Sequence, residues 1–410
     1  MPSSLPSLPV ELKIEILTRL PLKYLIRFTA VSKSWLSFLS SSDFVSAHMS
    51  KGVTERFFCV TKSDPNIRRF ALIDGDNLDG NPTLGPIVRP DREFPFRFSC
   101  FFNPKNLAEI ELVGSFDGLL CLCFLRPDSH PLIMLWNPSI RRHLVLPPPS
   151  ILPPPRKGSH AIGFCVASDG DYRVVWVHDK IMDNPMSVEI YSLNSGKWRI
   201  RRFDHDLFPL RWLYSGQVIL HGRMHWVGFD EDVGDDYLYI SHAITSFDID
   251  EEIFRDIPVS EKLPYSLWNQ EVSIALVRES LGMMVSYDPF DSDIWVMQDY
   301  GNVDSWTWLY TIFTPTYDDD WPPPIVYALN TWKKEGVFSG SRQLIYYVDD
   351  KPYIVPDVEY GDHHLDYVTK YLESLVLLGN KDAVADVHLL QDVADSGSME
   401  EENAGGGQAI

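Results

Sequence analysis

IMLWNPSIRRHLVLP, residues Ile133 to Pro147, reads as a strand, a polar turn and a second strand. Asn, Pro and Ser interrupt the apolar run because they satisfy a turning backbone locally, and the run resumes once they are passed. The phrase returns along the chain: Ile190 to Trp198 (IYSLNSGKW), Thr245 to Asp250 (TSFDID) continuing to Phe254-Arg255-Asp256-Ile257-Pro258, Ile294 to Gln298 (IWVMQ) with Trp306-Thr307-Trp308, and Leu344 to Asp350 (LIYYVDD). Its anchors are Trp136, Tyr191, Phe247, Trp295 and Ile345, about 50 residues apart, the period of kelch-type propeller blades. Further strands lie between them, at Asp171 to Val177, His221 to Val227 and Leu281 to Tyr287. An opening pair, Phe57 to Thr61 and Arg69 to Ile73, is divided by the turn Asp64-Pro65-Asn66. Together these predict a kelch-like β-propeller of about six blades, four strands each. Regular hairpins also build sandwiches, but a fixed period favours a ring.

Before residue 56 the rule changes. Residues 8–44, LPVELKIEILTRLPLKYLIRFTAVSKSWLSFLSSSDF, carry helical periodicity. Leu12, Ile16 and Leu20 recur every four residues with Val10, Ile14 and Leu17 beside them, which makes one broad apolar stripe. Pro9 stands where a helix tolerates proline, and Glu11 favours the positive end of the helix dipole. Pro21 ends this helix and opens a second carrying Leu22, Leu25, Ile26, Phe28, Val31 and Trp35. Ser41, Ser42 and Asp43 announce a third, short turn ahead of Phe44 and Val45. The result is a three-helix head on a mainly β chain. So small a unit encloses too little volume for all its apolar side chains, which must pack on the following domain or on a partner.

The order of residues in the head, Leu8-Pro9-x-Glu11-Leu12, then Glu15-Ile16-Leu17-x-Arg19-Leu20-Pro21, then Leu25, Val31, Lys33 and Trp35, resembles the F-box, the motif that docks on a Skp-type adaptor. It departs at Ser32, where many plant members carry cysteine. The resemblance implies that Leu8, Pro9, Ile16, Leu17, Leu20, Pro21 and Leu25 meet adaptor helices, and that the adaptor brings a cullin. Phe116-Asp117-Gly118-Leu119, Leu135 to Ser139, Asp171-Tyr172-Arg173-Val174-Val175, Val188 to Ser192 and Tyr371-Leu372-Glu373-Ser374-Leu375 look like the F-box-associated interaction domain of plant F-box proteins, from about Arg56 to Leu378. Gly163-Phe164-Cys165-Val166 departs where that family usually has a second glycine and an aromatic. One branch, the S-locus F-box proteins, recognises basic ribonucleases. The implied plan is an F-box over 1–48, a propeller-like substrate-binding domain over 49–378 and a disordered acidic tail over 379–410, with at most a helical turn around Val387 to Leu390.

The 410 residues carry a formal charge of −21, which disfavours nucleic acid or an anionic membrane as the main partner. The head runs against this balance: Lys13, Arg19, Lys23, Arg27 and Lys33 outnumber Glu11, Glu15 and Asp43. Five cysteines, Cys59, Cys100, Cys121, Cys123 and Cys165, form no disulfide framework; Cys121 and Cys123 alternate within an apolar strand and read as buried thiols of a reducing compartment. Glu11 and Glu15 interrupt any signal-peptide core, no apolar run approaches the roughly 20 residues of a membrane helix, and Asn81-Pro82-Thr83 and Asn137-Pro138-Ser139 are blocked as glycosylation sites by proline. The expectation is a cytosolic or nuclear protein.

Catalytic patterns are faint. His363-His364 beside Asp362 and Asp366 offers metal-ligand types without ligand spacing, and His221 and His225 share a strand face with Arg223 in the manner of structural histidines. No phosphate loop, nucleophile elbow or Cys–His pair stands out, and no cofactor or metal is expected. The acidic runs are stronger signals. Asp230, Asp232, Asp235 and Asp236, with Asp318, Asp319 and Asp320, read either as ordinary solvated loops or as a negative rim suited to a basic protein substrate. Beside proline runs such as Pro322-Pro323-Pro324, such loops are stiffened. The reading is a non-catalytic substrate-recognition subunit of a Skp–cullin–F-box ubiquitin ligase. Its rivals are a propeller-fold enzyme such as a glycosidase, which needs converging carboxylates, and an F-box protein that works outside a ligase.

Overall fold

The computed structural model describes residues 8–51, 55–64, 67–74, 92–94, 109–125, 130–150, 160–178, 187–203, 212–213, 217–233, 238–260, 263, 271–277, 279–286, 291–313, 327–329, 337–339, 344–348, 351–355 and 364–385. Four helices open the chain: α1 Val10–Leu17, α2 Leu22–Thr29, α3 Lys33–Leu39 and α4 Ser42–Ser50. This corrects the three-helix expectation. Pro9 and Pro21, held extended, start α1 and α2, but the second apolar pattern does not run unbroken to Trp35. Ser32 interrupts it. Its backbone is extended and its Oγ accepts from the Trp35 N–H at 3.2 Å, so a new helix begins there. Ser41 does the same for Phe44 at 3.3 Å, so the expected short turn is a full helix that reaches Ser50, past the boundary at 48.

The rest of the described residues form six antiparallel sheets, written here from inner to outer strand. The first joins the two ends of the domain: His364–Leu372, Glu55–Asp64, Ile67–Asp74 and Arg92–Phe94. The second is Glu109–Phe116, Leu119–Leu125, Leu132–Asn137, Arg142–Val145 and Val384–Ala385. The third is His160–Val166, Tyr172–His178, Ser187–Ser192 and Lys197–Arg202. In the fourth, Trp212–Leu213 and Val218–Leu220 both pair with Arg223–Val233, followed by Leu238–Asp248 and Ile253–Ile257. The fifth is Glu271–Val277, Ser280–Ser286, Asp291–Met297 and Trp306–Phe313; the sixth is Tyr327–Leu329, Val337–Ser339, Leu344–Val348 and Lys351–Val355. Inner strands touch from sheet to sheet in a closed circuit: 364–372 meets 109–116, which meets 160–166, then the strands of 212–233, then 271–277, then 327–329 and 364–372 again. A mainly β, propeller-like ring follows the helical head, and pairing of Glu55–Asp64 with His364–Leu372 closes it.

Trp136, Tyr191, Phe247, Trp295 and Ile345 all lie in the third strand of their sheets. Trp136, Tyr191 and Phe247 are buried, while Trp295 is half-buried. Three of their turns are closed in a similar way, a side-chain oxygen accepting from a backbone N–H two or three residues on. Asn137 Oδ1 accepts from Ser139 N at 3.0 Å, Ser192 Oγ from Ser195 N at 3.2 Å, and Asp248 Oδ1 from Glu251 N at 2.9 Å. Each loop ends on a left-handed residue, Arg141, Gly196 or Glu252. Staples then join neighbouring sheets. Tyr172 donates to Asp117 at 3.0 Å on one side and Arg173 to the Ile249 carbonyl at 3.2 Å on the other. The indoles of Trp198, Trp226 and Trp306 donate to the carbonyls of Pro147, Ile162 and Pro258.

A buried polar latch seals the closure. Asn137 Nδ2 donates to the carbonyls of Ser374 at 3.1 Å and Val376 at 2.9 Å, and the Tyr371 hydroxyl meets Ser139 Oγ at 2.6 Å. A Cβ at Gly118 would overlap the Leu372 carbonyl, which is why glycine sits at that turn. Beyond the latch the chain does not fall away at Gly379. Arg142 donates to the carbonyls of Leu378 at 2.5 Å and Ala383 at 2.8 Å, and Asn380 Oδ1 accepts from Asp382 N at 2.9 Å. Val384–Ala385 then pairs with His143 and Arg142. This corrects the tail's expected start at 379. The turn Val387 to Leu390 and the rest of the tail lie outside the described residues.

Candidate protein-docking face

The head uses its apolar residues in two directions. Leu17, Leu22, Leu25, Leu39 and Phe44 turn inward and share one core with the second and third sheets and with Leu375 to Leu378. Phe28, Trp35, Phe38 and Phe44 follow one another at centroid distances of 5.5, 6.4 and 5.3 Å, a relay of rings across the head. The approach to the propeller is close: a Cβ at Gly379 would stand 2.8 Å from Ser40 Cβ.

Other apolar side chains of the head are left uncovered by the described residues. Eleven large hydrophobic side chains stand exposed among the described residues, and seven of them belong to the head: Leu8, Val10, Leu12, Ile16, Tyr24, Val31 and Leu36. Such a concentration on one small unit marks an interaction surface rather than scatter. Cations border it. Lys23 Nζ lies 5.0 Å from the centre of the Tyr24 ring and the Arg27 guanidinium 5.9 Å from it. Glu15 pairs with Arg19 and, at 2.7 Å, with Lys51; the Lys51 bond first, then Arg19, hold its carboxyl below the usual range.

Of the seven residues read from sequence as this surface, Leu8, Pro9, Ile16 and Pro21 are exposed and Leu20 is half-buried against the core. Leu17 and Leu25 are corrected to core positions, 6% and 0% exposed, because their turns of helix face the propeller. Val10, Leu12, Tyr24, Val31 and Leu36 were missing from the expected set. A finer use of the 3.6-residue period finds Leu12 one turn below Ile16, but α1 is apolar on two sides, Val10, Ile14 and Leu17 on one and Leu12 and Ile16 on the other, so the pattern alone does not say which side faces out.

The acidic rim is not assembled among the described residues. Asp230 and Asp232 lie in the strand Arg223–Val233, opposite Ser241 and Tyr239, not in a loop. Asp235, Asp236, Asp318, Asp319 and Asp320 lie outside the described residues. His221 sits in a two-residue turn with positive φ, while His225 is enclosed, its Nδ1 3.1 Å from the Val218 carbonyl and its Nε2 2.6 Å from the Tyr300 hydroxyl. Burial pushes the His225 imidazole down to about 4, so it is neutral near pH 7. Burial raises the Cys165 thiol to about 12 and lifts that of Cys121 well above its ordinary value, so neither is a ready nucleophile. Among the described residues no group of three or more His, Cys, Asp or Glu is placed to hold a metal, and no helix is long and apolar enough to cross a membrane. The arrangement offers an exposed apolar face on a head packed against the ring.

Comparison with known proteins agrees with this geometry. Residues 5–46 match the F-box domain and residues 88–378 the F-box associated beta propeller domain. Among similar proteins of Arabidopsis thaliana, the F-box protein CPR1 is 25% identical over 398 residues, covering 92% of this chain and 90% of its own length. The F-box/kelch-repeat protein At3g23880 is 23% identical over 327 residues, covering 75% and 79%. Among solved structures, TolB from Acinetobacter baumannii covers 83% of this chain and 73% of its own at 12% identity, with a TM-score of 0.38, a likeness too slight to build on.

Proposed function

This chain belongs to the F-box proteins that carry an F-box-associated β-propeller domain, and from that premise we propose that it is the substrate-recognition subunit of a Skp–cullin–F-box ubiquitin ligase. The observation that carries the reading is the uncovered apolar face of Leu8, Val10, Leu12 and Ile16, on a head whose other face is fused to the propeller core. A Skp-type adaptor lays helices on that face and brings a cullin; the propeller-like domain holds the substrate. Because the head is anchored through Leu375 to Leu378, the two sites stand at a fixed offset, which raises the effective concentration of substrate lysines near the conjugating enzyme. No covalent step is assigned to this chain. The charge of −21 suits a basic substrate, and the buried free thiols of Cys121 and Cys165 suit the cytosol or nucleus.

The test is affinity purification of the full chain with the proteasome inhibited. Adaptor, cullin and a protein that accumulates under inhibition are expected together, and Leu12→Ala with Ile16→Ala is expected to remove adaptor and cullin while leaving the β signal's thermal melt unchanged. Adaptor without cullin would place the protein outside a ligase. Full adaptor recovery with the double variant would overturn the docking face.

A further inference from the structure

The outer strands of the six sheets are not alike. That of the second sheet is covered by Val384–Ala385, whereas the outer strand of the third, Lys197–Arg202, has no further strand beside it among the described residues. Its sequence is Lys-Trp-Arg-Ile-Arg-Arg, four cations in six residues of a chain with formal charge −21. Charged edges commonly only deter unwanted pairing, and Arg199, paired with Glu252, needs no other role. The remaining features ask for more. Lys197, Arg201 and Arg202 are exposed, and Ile200 stands 44% exposed among them.

What lies next to this edge is the exit of the C-terminal segment. Trp198 packs on Tyr191, with ring centroids 5.3 Å apart, and both belong with Ala383, Leu144 and Leu146 to one apolar cluster. Trp198 also donates to the Pro147 carbonyl at 2.6 Å, just past the strand that Val384–Ala385 covers. From Ala385 the chain continues for 25 residues, 386–410. Extended, that length reaches roughly 80 Å, several times the roughly 20 Å of a six-residue strand. The segment contains Asp386, Asp392, Asp395, Glu400, Glu401 and Glu402 and no lysine or arginine, with Leu389-Leu390 as an apolar step ahead of most of the carboxylates. We propose that residues 386–410 dock along the free edge of Lys197–Arg202, their carboxylates on Lys197, Arg201 and Arg202 and their leucines at Ile200. The chain already covers the outer edge of the second sheet with its own strand, and the acidic segment continues that cover onto the third. An acidic segment of any other protein reaches this edge only by competing with it, and the contact is independent of the adaptor face.

Zero-length carbodiimide coupling of the full wild-type chain, read by peptide mass spectrometry, tests the contact. Lys197 is expected to be the main lysine joined to Asp392, Asp395 and Glu400 to Glu402 within one chain, and 1 M salt, which cuts the Debye length to about 3 Å, is expected to abolish the link. A second measurement uses a synthetic peptide of residues 386–410 and a full chain whose six tail carboxylates are changed to Asn or Gln. That chain is expected to bind the peptide at least about tenfold more tightly than wild type, whose own tail occupies the edge at an effective concentration in the millimolar range. Adding Lys197→Thr, Arg201→Thr and Arg202→Thr is expected to remove the gain with the melt unchanged. Tail carboxylates coupled to other lysines as readily as to Lys197, or equal peptide binding by wild-type and tail-neutralised chains, would overturn the proposal.

Discussion

Ile16 and Leu25 are both apolar and both helical, in one small head, yet the first is 53% exposed and the second 0%. Leu25 lies on the face that continues into the propeller core, and Ile16 on a face that none of the described residues covers. One face holds the molecule together; the other is left for something else. Substitutions on the two faces should therefore fail differently, one by melting and one by losing a partner.

The largest loss of stability is expected from the inner face. Leu25→Ala opens a cavity where head and ring meet and should cost about 2–5 kcal/mol, measured by denaturant unfolding. A loss below about 1 kcal/mol would mean that the inner face is not core. The latch that supports this face comes next. Asn137→Ala leaves the buried carbonyls of Ser374 and Val376 without their donor and should cost about 3 kcal/mol, with faster hydrogen exchange in Leu375 to Leu378.

His225 sharpens the contrast from within the ring, away from either face. Burial first, then Arg223 and His221, keep its folded-state value near 4, below the unfolded 6.5. The neutral imidazole thus contributes stability that is present above pH 6.5 and lost as pH falls toward 4. By pH 5 the wild type should have lost about 2 kcal/mol more than His225→Gln, relative to pH 7.5. Parallel pH profiles for the two would refute the assignment. The smallest effect belongs to the outer rim, where Glu15→Gln breaks two solvent-screened ion pairs and should leave the melting temperature unchanged within error.

Much of this was legible in residues. The anchors Trp136, Tyr191 and Phe247 with their polar turns repeat as strand and loop because each turn solves the same local problem with Asn, Ser or Asp. The head's existence was equally plain. What stayed hidden was decided by distant partners or by single caps. Ser32 splits a helix with one hydrogen bond, and the Asn137 latch joins residues 237 apart. Val384–Ala385 looked like the start of a tail, because a two-residue strand has no pattern of its own and exists only through Arg142 and His143. In α1, apolar on two sides with Glu11, Lys13 and Glu15 between them, periodicity named the helix but not its outward face. Of the acidic rim, only the strand placement of Asp230 and Asp232 is described, and it differs from the loop that their charge suggested.

The comparison of the two faces is tested most directly by titrating a purified Skp-type adaptor against full-length wild type, Leu12→Asp with Ile16→Asp, and Leu25→Ala, with a melt recorded for each. The double aspartate variant should bind at least about 100-fold more weakly, because charges must be desolvated at a hot spot, and should melt like wild type. Leu25→Ala should melt earlier and, below its transition, bind within a few-fold of wild type. Adaptor affinity that survives both aspartates, or that collapses in folded Leu25→Ala alone, would contradict the account.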